Sequence, residues 1–259
     1  FIGDSHMASI MHDIKDRVIE NKYQFVTSTF SGCLYYPGFD LVRVKTQKID
    51  ENCNDNYFQK LKEILLKEKN SIFIFGGRYP VYLSNYFFDN QEGGVEKEQG
   101  VENKEWTNKY ISNGKYISIQ DSFRNEILEL SNTNKIILVY PIPEIGWDPN
   151  RKIINQWINR KNKFSSEFEI TYVTTSYEVY SNRTKSSFEL LDSIQGDKIY
   201  RIYPHKLFCN SVIKDRCVTN DSKNIFYRDD DHPSLKGAEM INELIKNEKK
   251  KIEKIEKIN

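Results

Sequence analysis

The first ten residues read FIGDSHMASI (residues 1–10) and place a short apolar segment directly before a polar turn and a helical pattern. Residues 1–3 have the composition of the end of a β-strand, so we expect the chain to be cut from a longer protein. Glycine, aspartate and serine all favour turns, so one interpretation of Gly3-Asp4-Ser5 is a plain loop. The other is that Ser5 follows the first strand of an α/β sheet, at the edge where such folds gather their chemistry.

Short apolar segments alternate with helical patterns along the rest of the chain. Strands are predicted at 1–3, 24–30, 71–75, 135–140 and 198–203, and 170–173 is either a strand or a connection. Helices are predicted at 7–20, 56–68, 120–131, 150–163 and 184–195, followed by a terminal helix with a stripe of Ala238, Ile241, Ile245, Ile252 and Ile255. Apolar strands between helices are typical of a parallel sheet covered on both faces. We therefore predict an α/β fold with a central parallel sheet of five strands.

Charge and hydropathy limit the classes of protein to consider. The 259 residues carry 38 lysines and arginines against 37 aspartates and glutamates, so no basic surface for nucleic acid is expected. No apolar segment approaches the roughly 20 residues needed to span a bilayer, and no signal peptide is recognisable. We predict a single domain over residues 1–246, with a charged surface insertion at 89–114 and a Lys-rich end of the last helix at 247–259.

Four cysteines stand at positions 33, 53, 209 and 217. None forms a Cys-x-x-Cys pair and the histidines are scattered, so a zinc site is not expected. Four cysteines allow three disulfide pairings, and the shortest loops join Cys33 to Cys53 and Cys209 to Cys217. We predict these two disulfides and hence an oxidising compartment such as a periplasm or the cell exterior, the alternative being four reduced thiols.

A serine hydroxyl needs a base to become a good nucleophile, and the chain offers four histidines. His6 is adjacent to Ser5, and adjacent side chains diverge on a helix or turn, so His6 is not expected to face the serine. His12 and His205 are expected to be structural. His232, directly before the terminal helix, is the candidate base.

The segment around His232 reads RDDDHPS (residues 228–234). Asp229 stands three positions before His232, a spacing that lets a carboxylate meet the imidazole across one turn. Such a carboxylate fixes the tautomer and stabilises the imidazolium that forms. The alternatives are a calcium-type loop or a solvated acidic cap, although the segment lacks the alternating oxygen ligands and the distal glutamate of an EF-hand.

Gly-Asp-Ser at the first turn together with Asp-x-x-His at the last resembles the SGNH (GDSL-like) hydrolase superfamily. The wider blocks are similar to one branch, the SGNH domain fused behind acyltransferase-3 membrane proteins that O-acetylate bacterial surface polysaccharides. These blocks are Gly3-Asp4-Ser5-His6, Ser31-Gly32-Cys33, and Cys209 and Cys217 followed by Tyr227-Arg228-Asp229-Asp230-Asp231-His232 and Gly237-Ala238. The resemblance runs from Phe1 to about Ile245 and implies a three-layer α/β/α, flavodoxin-like SGNH hydrolase fold.

The resemblance also implies catalytic roles. Ser5 is the expected nucleophile, His232 the general base and then acid, and Asp229 the carboxylate that orients the histidine. The backbone N–H groups of Ser5 and Gly32 are the expected oxyanion donors.

One block departs from the superfamily pattern. SGNH hydrolases usually carry a Gly-x-Asn block after the third strand, whose asparagine is another oxyanion donor, but the chain reads Phe75-Gly76-Gly77-Arg78-Tyr79 there. Losing one oxyanion donor typically costs about 2.7–4 kcal/mol, which slows a catalyst without abolishing it. The acyltransferase-linked branch often has an Arg-aromatic pair at this point, so Arg78 and Tyr79 are candidate substrate-binding residues.

The function implied by the resemblance is transfer of an acetyl group to a sugar hydroxyl through an acyl-serine intermediate, with no cofactor and no metal. The expected partners are a glycan acceptor, an acyl donor and an upstream acyltransferase-3 membrane domain. That domain would tether a monomeric SGNH domain to the inner membrane, on its periplasmic or extracellular face. Two alternatives stay open: a secreted esterase acting on acetyl esters of glycans or lipids, and a non-catalytic carbohydrate-binding module on an SGNH scaffold.

Overall fold

The computed structural model describes residues 1–19, 23–96, 105–161 and 172–256. The strands in these ranges are β1 (Ile2–Gly3), β2 (Ser28–Thr29), β3 (Phe39–Arg43), β4 (Lys48–Ile49), β5 (Ile72–Phe75), β6 (Asn108–Ser112), β7 (Lys135–Val139), β8 (Thr174–Ser176), β9 (Ile199–Ile202) and β10 (Arg216–Val218). The helices are α1 (Ser5–Ser9), α2 (Asp55–Lys67), α3 (Tyr79–Ser84), α4 (Ile119–Ser131), α5 (Pro149–Lys161), α6 (Tyr177–Asp192), α7 (His205–Phe208) and α8 (Leu235–Glu256), with a π-helical turn at Lys15–Ile19.

One parallel sheet forms the centre of the molecule. Its strands lie in the order β2-β1-β5-β7-β9, and every neighbouring pair is parallel. Counted within this sheet, the order is 2-1-3-4-5, the flavodoxin-like order of doubly wound α/β proteins. All five residues of β7 are buried, as expected of an inner strand whose sequence, KIILV, is almost wholly apolar. The predicted five-stranded parallel sheet is confirmed.

Helices cover both faces of this sheet. Successive residues of a strand point to opposite faces, and two apolar clusters follow this alternation. Phe73 and Ile136 belong to a cluster that includes side chains of α2, α4 and α6. Ile74 and Ile137 belong to a second cluster that includes side chains of α1 and α8. The result is the three-layer α/β/α arrangement.

Both predicted disulfides are present, and each fastens a loop near the central sheet. Cys33–Cys53 joins the loop after β2 to the segment before α2, and Cys209–Cys217 joins the end of α7 to β10. Two small antiparallel sheets, β4-β3-β6 and β10-β8, pair the segments next to these loops.

The helix predicted at 7–20 is wrong in its extent. The helix α1 ends at Ser9, and the π-helical turn follows only at Lys15, while residue 20 lies outside the described part. The cause is a tertiary contact: Asn242 of α8 is fully buried, and its Nδ2 donates to the Ile10 carbonyl at 2.6 Å. This side chain satisfies a carbonyl that would otherwise need a helical partner.

The strand predicted at 24–30 is shorter in the structure. Only Ser28 and Thr29 pair with β1, opposite Ile2 and Gly3, so the ladder is no longer than β1 itself. The segment 170–173 is predicted as either a strand or a connection. Its residues 170 and 171 lie outside the described part, and strand β8 begins directly after the segment, at Thr174.

The helix predicted at 184–195 begins earlier, at Tyr177. Ser176 caps it by accepting a hydrogen bond from the Val179 N–H. Tyr180 is the one buried side chain before Thr184, so the apolar periodicity that marks a helix starts late. The helix predicted at 150–163 is present as α5, with residues 162 and 163 outside the described part.

The segment predicted as a surface insertion, 89–114, contains a paired strand. β6 pairs with every residue of β3, while residues 97–104 lie outside the described part. The segment is therefore not a loop throughout, and its status as a surface insertion stays a prediction. The extent of the domain, 1–246, stays a prediction.

The terminal helix α8 carries the predicted stripe with one exception. Ala238, Ile241, Ile245 and Ile252 are fully buried, but Ile255 is 47% exposed, so the buried stripe ends at Ile252. In the part of the chain that the structure describes, no helix combines the length and the apolar character needed to cross a membrane.

Candidate active site

The candidate site lies where the strand order of the sheet reverses. β1 precedes both β2 and β5 in the chain and lies between them in the sheet. Open parallel sheets bind ligands beyond the carboxyl ends of their strands at such a switch point. Ser5 follows β1 at this edge, and Gly76-Gly77-Arg78 follows β5 beside it.

Glycines allow these two turns to approach each other. A Cβ on Gly3 would lie 2.2 Å from the carbonyl oxygen of Gly76, a distance that real side chains do not adopt. A Cβ on Gly77 would lie 2.5 Å from Leu34 Cδ1 and 3.0 Å from Asp4 Oδ2. The close contact between the ends of β1 and β5 therefore depends on the absence of side chains there.

Asp4 positions Ser5, the half-buried first residue of α1. The Asp4 carboxylate caps this helix, since its Oδ1 accepts from the His6 N–H at 2.9 Å. Its Oδ2 accepts from the backbone N–H of Arg78 at 2.7 Å and from the Tyr82 hydroxyl at 2.8 Å. One buried carboxylate thus ties the turn that carries Ser5 to the turn after β5.

Ser5, His232 and Asp229 form one chain of contacts. His232 Nε2 lies 2.9 Å from Ser5 Oγ, and Nδ1 of the same ring lies 3.0 and 3.1 Å from the two Asp229 carboxylate oxygens. The backbone N–H of His232 also donates to Asp229 Oδ1 at 2.8 Å. This geometry allows Nε2 to take the Ser5 proton while the carboxylate holds the Nδ1–H.

A second carboxylate, that of Asp231, also reaches His232. Asp231 Oδ1 lies 2.7 Å from His232 Nδ1. Its Oδ2 lies 3.1 Å from His6 Nε2 and 2.8 Å from Arg78 Nη1. His6, the neighbour of Ser5, therefore faces Asp231.

The charges at the site favour a protonated His232. Burial lowers its pKa, but the hydrogen bonds and charges of Asp229 and Asp231 outweigh burial and raise the pKa to about 10. Burial raises the pKa of Asp231, but the Arg78 charge and both histidines hold it well below its usual range. Burial likewise opposes ionisation of Asp229, whose pKa is nevertheless lowered by its hydrogen bonds with His232. The neutral imidazole that could accept the Ser5 proton therefore becomes more abundant as the pH rises.

Arg78 contacts carboxylates from three different loops. Its Nε donates to Glu144 Oε1 at 2.7 Å, and its Nη1 donates to Glu96 Oε1 at 2.8 Å and lies 2.8 Å from Asp231 Oδ2. Arg183 Nε donates to the other Glu144 oxygen at 2.9 Å. Burial opposes ionisation of Glu144, but the two arginines lower its pKa to about 2.

The candidate substrate-binding residues Arg78 and Tyr79 are both buried and held by protein groups, and their role in substrate binding stays a prediction. Tyr79 is fully buried, and its ring packs against Phe123 with 5.6 Å between the centroids. Arg78 is only 9% exposed, and its guanidinium is engaged by Asp231, Glu96 and Glu144. Tyr79 therefore belongs to the core, and Arg78 supports the carboxylates of the site.

Gly32 lies in the turn after β2, the strand that pairs with β1. Its φ of +70° is a conformation that favours glycine. The Cys33 N–H closes the turn by donating to the Phe30 carbonyl at 3.2 Å, and the Phe30 N–H donates to the Gly3 carbonyl at 3.2 Å. The turn thus stands at the same edge of the sheet as Ser5, and the oxyanion role of the Gly32 and Ser5 N–H groups stays a prediction.

The comparison with protein families agrees with this geometry. A family model described as "SGNH domain (fused to AT3 domains)" matches residues 1–247. The chain belongs to this family. No curated protein matches it. A similar solved structure is the periplasmic domain of a lipopolysaccharide acetyltransferase of Salmonella ser. Paratyphi A, with 15% sequence identity, a TM-score of 0.56, and coverage of 95% of this chain and 81% of that chain. At this identity the likeness shows the fold.

The SGNH domain has Arg78 where the Gly-x-Asn block would place its asparagine. The backbone N–H of Arg78 donates to Asp4, and its guanidinium is paired with carboxylates. Asn90 follows in the chain and is fully buried, but its Nδ2 donates to the Ile145 carbonyl at 2.9 Å and its Oδ1 accepts from the Gly94 N–H at 2.8 Å. The amide of Asn90 is therefore used to hold the surrounding loops together.

Two groups of side chains in the described part of the SGNH domain have metal-ligand spacing. Within each group the ligand atoms lie within 4.8 Å of one another, and the groups are His6, Asp231 and His232, and Asp229, Asp230 and Asp231. Asp231 belongs to both and is already paired with Arg78, whose positive charge opposes a metal cation. We propose no metal site, and the absence of metal and cofactor stays a prediction.

Several residues of the site carry no clear signal in the sequence. Asp231 stands beside His232 in a run of three aspartates, where spacing alone favours Asp229. Glu96 falls in the predicted insertion, and Glu144 lies in a loop after β7. Only their common contact with Arg78 marks them.

The other histidines have different surroundings. His205 packs against Tyr180, Phe188 and Tyr203, and burial lowers its pKa to about 4. The His12 side chain is 38% exposed and lies 3.8 Å from Asp13 Oδ1. Both placements fit the expected structural roles.

Asp4→Ala is expected to lower the free energy of unfolding by about 4–7 kcal/mol, since its two charged hydrogen bonds with Arg78 and Tyr82 contribute about 1.5–3 kcal/mol each and the helix cap about 1 kcal/mol. The substitution leaves the Arg78 N–H and the Tyr82 hydroxyl without their acceptor. Urea denaturation followed by circular dichroism measures the loss. Asp121→Ala, in the first turn of α4 with a side chain that is 41% exposed, is the matched control. A loss for Asp4→Ala no larger than that of the control would contradict the role assigned to Asp4.

Proposed function

We propose that this SGNH domain transfers an acetyl group to a sugar hydroxyl of a bacterial surface polysaccharide through an acyl intermediate on Ser5. The observation that carries the proposal is the 2.9 Å contact between Ser5 Oγ and His232 Nε2, with carboxylates at the other ring nitrogen. The family, SGNH domains fused to AT3 domains, supports an acyl-transfer role. The name of the similar Salmonella protein, a lipopolysaccharide acetyltransferase, supports acetyl as the group and a surface glycan as the acceptor.

The first half of the proposed reaction forms the acyl-enzyme. Ser5 Oγ attacks the carbonyl carbon of an acetyl ester while His232 Nε2 takes its proton. Asp229 stabilises the imidazolium, and the N–H groups of Ser5 and Gly32 donate to the oxyanion. The tetrahedral intermediate collapses, the bond to the donor oxygen breaks, and His232 returns the proton to that leaving oxygen. Acetyl-Ser5 and a free donor alcohol result.

The second half of the proposed reaction transfers the acetyl group. A sugar hydroxyl attacks the acetyl carbonyl of acetyl-Ser5 while His232 takes the sugar proton. Ser5 Oγ then leaves and regains a proton from His232, so the site returns to its starting state. In this proposal an AT3 membrane domain delivers the acetyl donor, and the SGNH domain works on the periplasmic or extracellular face. Both disulfides fit an oxidising compartment of this kind.

The test separates transfer from hydrolysis. The domain is incubated with 4-nitrophenyl acetate and a chemically de-O-acetylated bacterial surface polysaccharide, and acetyl on the glycan is measured by proton NMR. Peptide mass spectrometry on the quenched reaction locates acetyl on the protein. We expect acetylated glycan and an acetylated peptide that contains Ser5, and neither with Ser5→Ala.

Other results would favour another function. Acetate without acetylated glycan would indicate an esterase with water as the acceptor. Glycan binding without acetylation of Ser5, and without labelling by a serine-reactive fluorophosphonate, would indicate a carbohydrate-binding module. Either result would overturn the proposed transfer.

A further inference from the structure

We propose that Asp231 is a second carboxylate of the site, a positioning residue that holds His232 from the buried side while Asp229 holds it from the exposed side. The inference rests on the proposed function, in which His232 takes and returns the Ser5 proton. In a Ser-His-Asp site one carboxylate is sufficient to orient the histidine. The Asp-x-x-His spacing points to Asp229 for that role and leaves Asp231 without one.

The distances place both carboxylates at the same ring nitrogen. Asp231 Oδ1 lies 2.7 Å from His232 Nδ1, closer than the Asp229 oxygens at 3.0 and 3.1 Å. Asp229 forms hydrogen bonds with Nδ1, and Asp231 forms a close ion pair with the same nitrogen. If either carboxylate is lost, the other can still keep the proton on Nδ1 and leave Nε2 free to face Ser5.

The two carboxylates differ in how firmly they are held. The Asp229 side chain is 38% exposed, and the neighbouring Arg228, 64% exposed, lies 3.4 Å from it. The Asp231 side chain is 5% exposed, with its second oxygen held by His6 and Arg78. Water screens an exposed pair and lets its side chains move, whereas a buried pair keeps both its geometry and its full interaction. Asp231 is therefore the more rigid of the two supports.

Arg78 is itself fixed, which extends the support away from the site. Glu96 and Glu144 hold its guanidinium, and Arg183 holds Glu144 from the other side. Arg78 also balances part of the Asp231 charge, so it limits how strongly Asp231 stabilises the imidazolium. The residue at the Gly-x-Asn position therefore positions the carboxylate that supports the base.

The charged and titratable groups around His232 come from three elements. Its own loop contributes Asp229, Asp231 and Arg228, with Asp230 between the two aspartates in the chain. The helix α1 contributes Ser5 and His6, whose ring centroid lies 5.2 Å from that of His232. The turn after β5 contributes Arg78 through Asp231. Among these groups, Asp229 and Asp231 are the negative charges in contact with the ring.

The first test is a pH titration of His232, monitored through the NMR signal of its ring. In Asp231→Asn the pKa of His232 should fall by at least about one unit, because a contacting opposite charge typically shifts a pKa by 1–3 units. The ascending limb of kcat/KM against pH with 4-nitrophenyl acetate should move to lower pH by the same amount. The control is Asp230→Asn, which removes the charge next to Asp231 in the chain but no contact with His232 Nδ1. It should shift the midpoint of the His232 titration and that of the kcat/KM limb by less than half as much. An Asp231→Asn titration that matches wild type, or matches Asp230→Asn, would overturn the inference.

The second test is a double-variant cycle at Asp229 and Asp231. If Asp229 were the lone support, Asp229→Asn would lower kcat by about 10⁴-fold, as removal of the triad carboxylate does elsewhere. With Asp231 as second support, we expect each single variant to lose far less and the double variant to lose more than the product of the single losses. Two results together would count against Asp231: a loss of about 10⁴-fold in kcat for Asp229→Asn, and a loss in the double variant that equals the product of the two single losses.

A third measurement needs no substitution and covers the case in which Asp231→Asn does not fold. Carboxyl carbon NMR of the wild-type protein should show that both Asp229 and Asp231 report the ionisation of His232 at the same pH. A response confined to Asp229 would overturn the inference. Turnover that persists in Ser5→Ala would instead contradict the proposed function, so the two failures are distinguishable.

Discussion

Ser5→Ala is expected to lower kcat/KM for 4-nitrophenyl acetate by about 10⁴-fold or more, because removing a serine nucleophile leaves only the catalysis due to binding and oxyanion donors. Ser5 Oγ is the oxygen in contact with His232 Nε2, and alanine offers no atom that could carry the acetyl group. The loss should appear both in steady-state turnover and in the initial burst that reports acylation. Binding of a glycan should be unchanged, because only the hydroxyl is removed.

The matched control for this prediction is Ser131→Ala. Ser131 is likewise half-buried in a helix, but its hydroxyl donates to the Leu128 carbonyl at the end of α4 and not to a residue of the site. Its kcat/KM should stay within a factor of two of wild type. Equal turnover by wild type and Ser5→Ala would show that the ester is cleaved elsewhere, and the proposed acyl-serine mechanism would fail.

His232→Ala is expected to cause a loss of about 10⁴- to 10⁶-fold in kcat, since base and nucleophile act as a unit and losing either costs nearly as much as losing both. No other histidine can replace it: His6 is held by Asp231, and His205 lies in its aromatic cluster. The pH dependence is a second readout. Because contact with two carboxylates raises the pKa of His232 to about 10, wild-type kcat/KM should rise with pH through the alkaline range, whereas His232→Ala should lose this ascending limb.

The control for the histidine is His12→Ala, at an exposed position beside Asp13. It should keep the rate and the pH profile of wild type. A His232→Ala protein that retains the ascending limb would place the titrating base elsewhere. The wild-type profile is informative by itself, because a limb near the ordinary histidine pKa of about 6.5 would mean that Asp229 and Asp231 do not stabilise the imidazolium.

Local signals in the chain were sufficient to predict much of the fold. Residues 135–140 form an apolar β-rich segment, and the structure places β7 there, buried at every position. Helix α2 begins within one residue of its predicted start, where Asn54 caps it through the Tyr57 N–H. These features depend on periodicity and on capping between near neighbours, which a sequence displays directly.

The misses occur where distant residues override local preference. The first helix stops at Ser9 because Asn242, from the far end of the chain, binds the Ile10 carbonyl. Strand β6 lies in a segment that reads as a charged loop, and its existence depends on pairing with β3. Neither partner can be inferred from the residues next to the element.

The sequence by itself determined the five strands of the central sheet, the position of Ser5 at the first strand end, and the candidate pair Asp229 and His232, because each rests on a pattern along a few consecutive residues. Only the tertiary structure decided which groups surround them. Asp4, His6, Arg78 and Asp231 meet because the ends of β1 and β5 and the loop before α8 converge at one edge of the sheet. Buried charges must find partners wherever the fold brings opposite charges together, and that pairing has no signature along the chain.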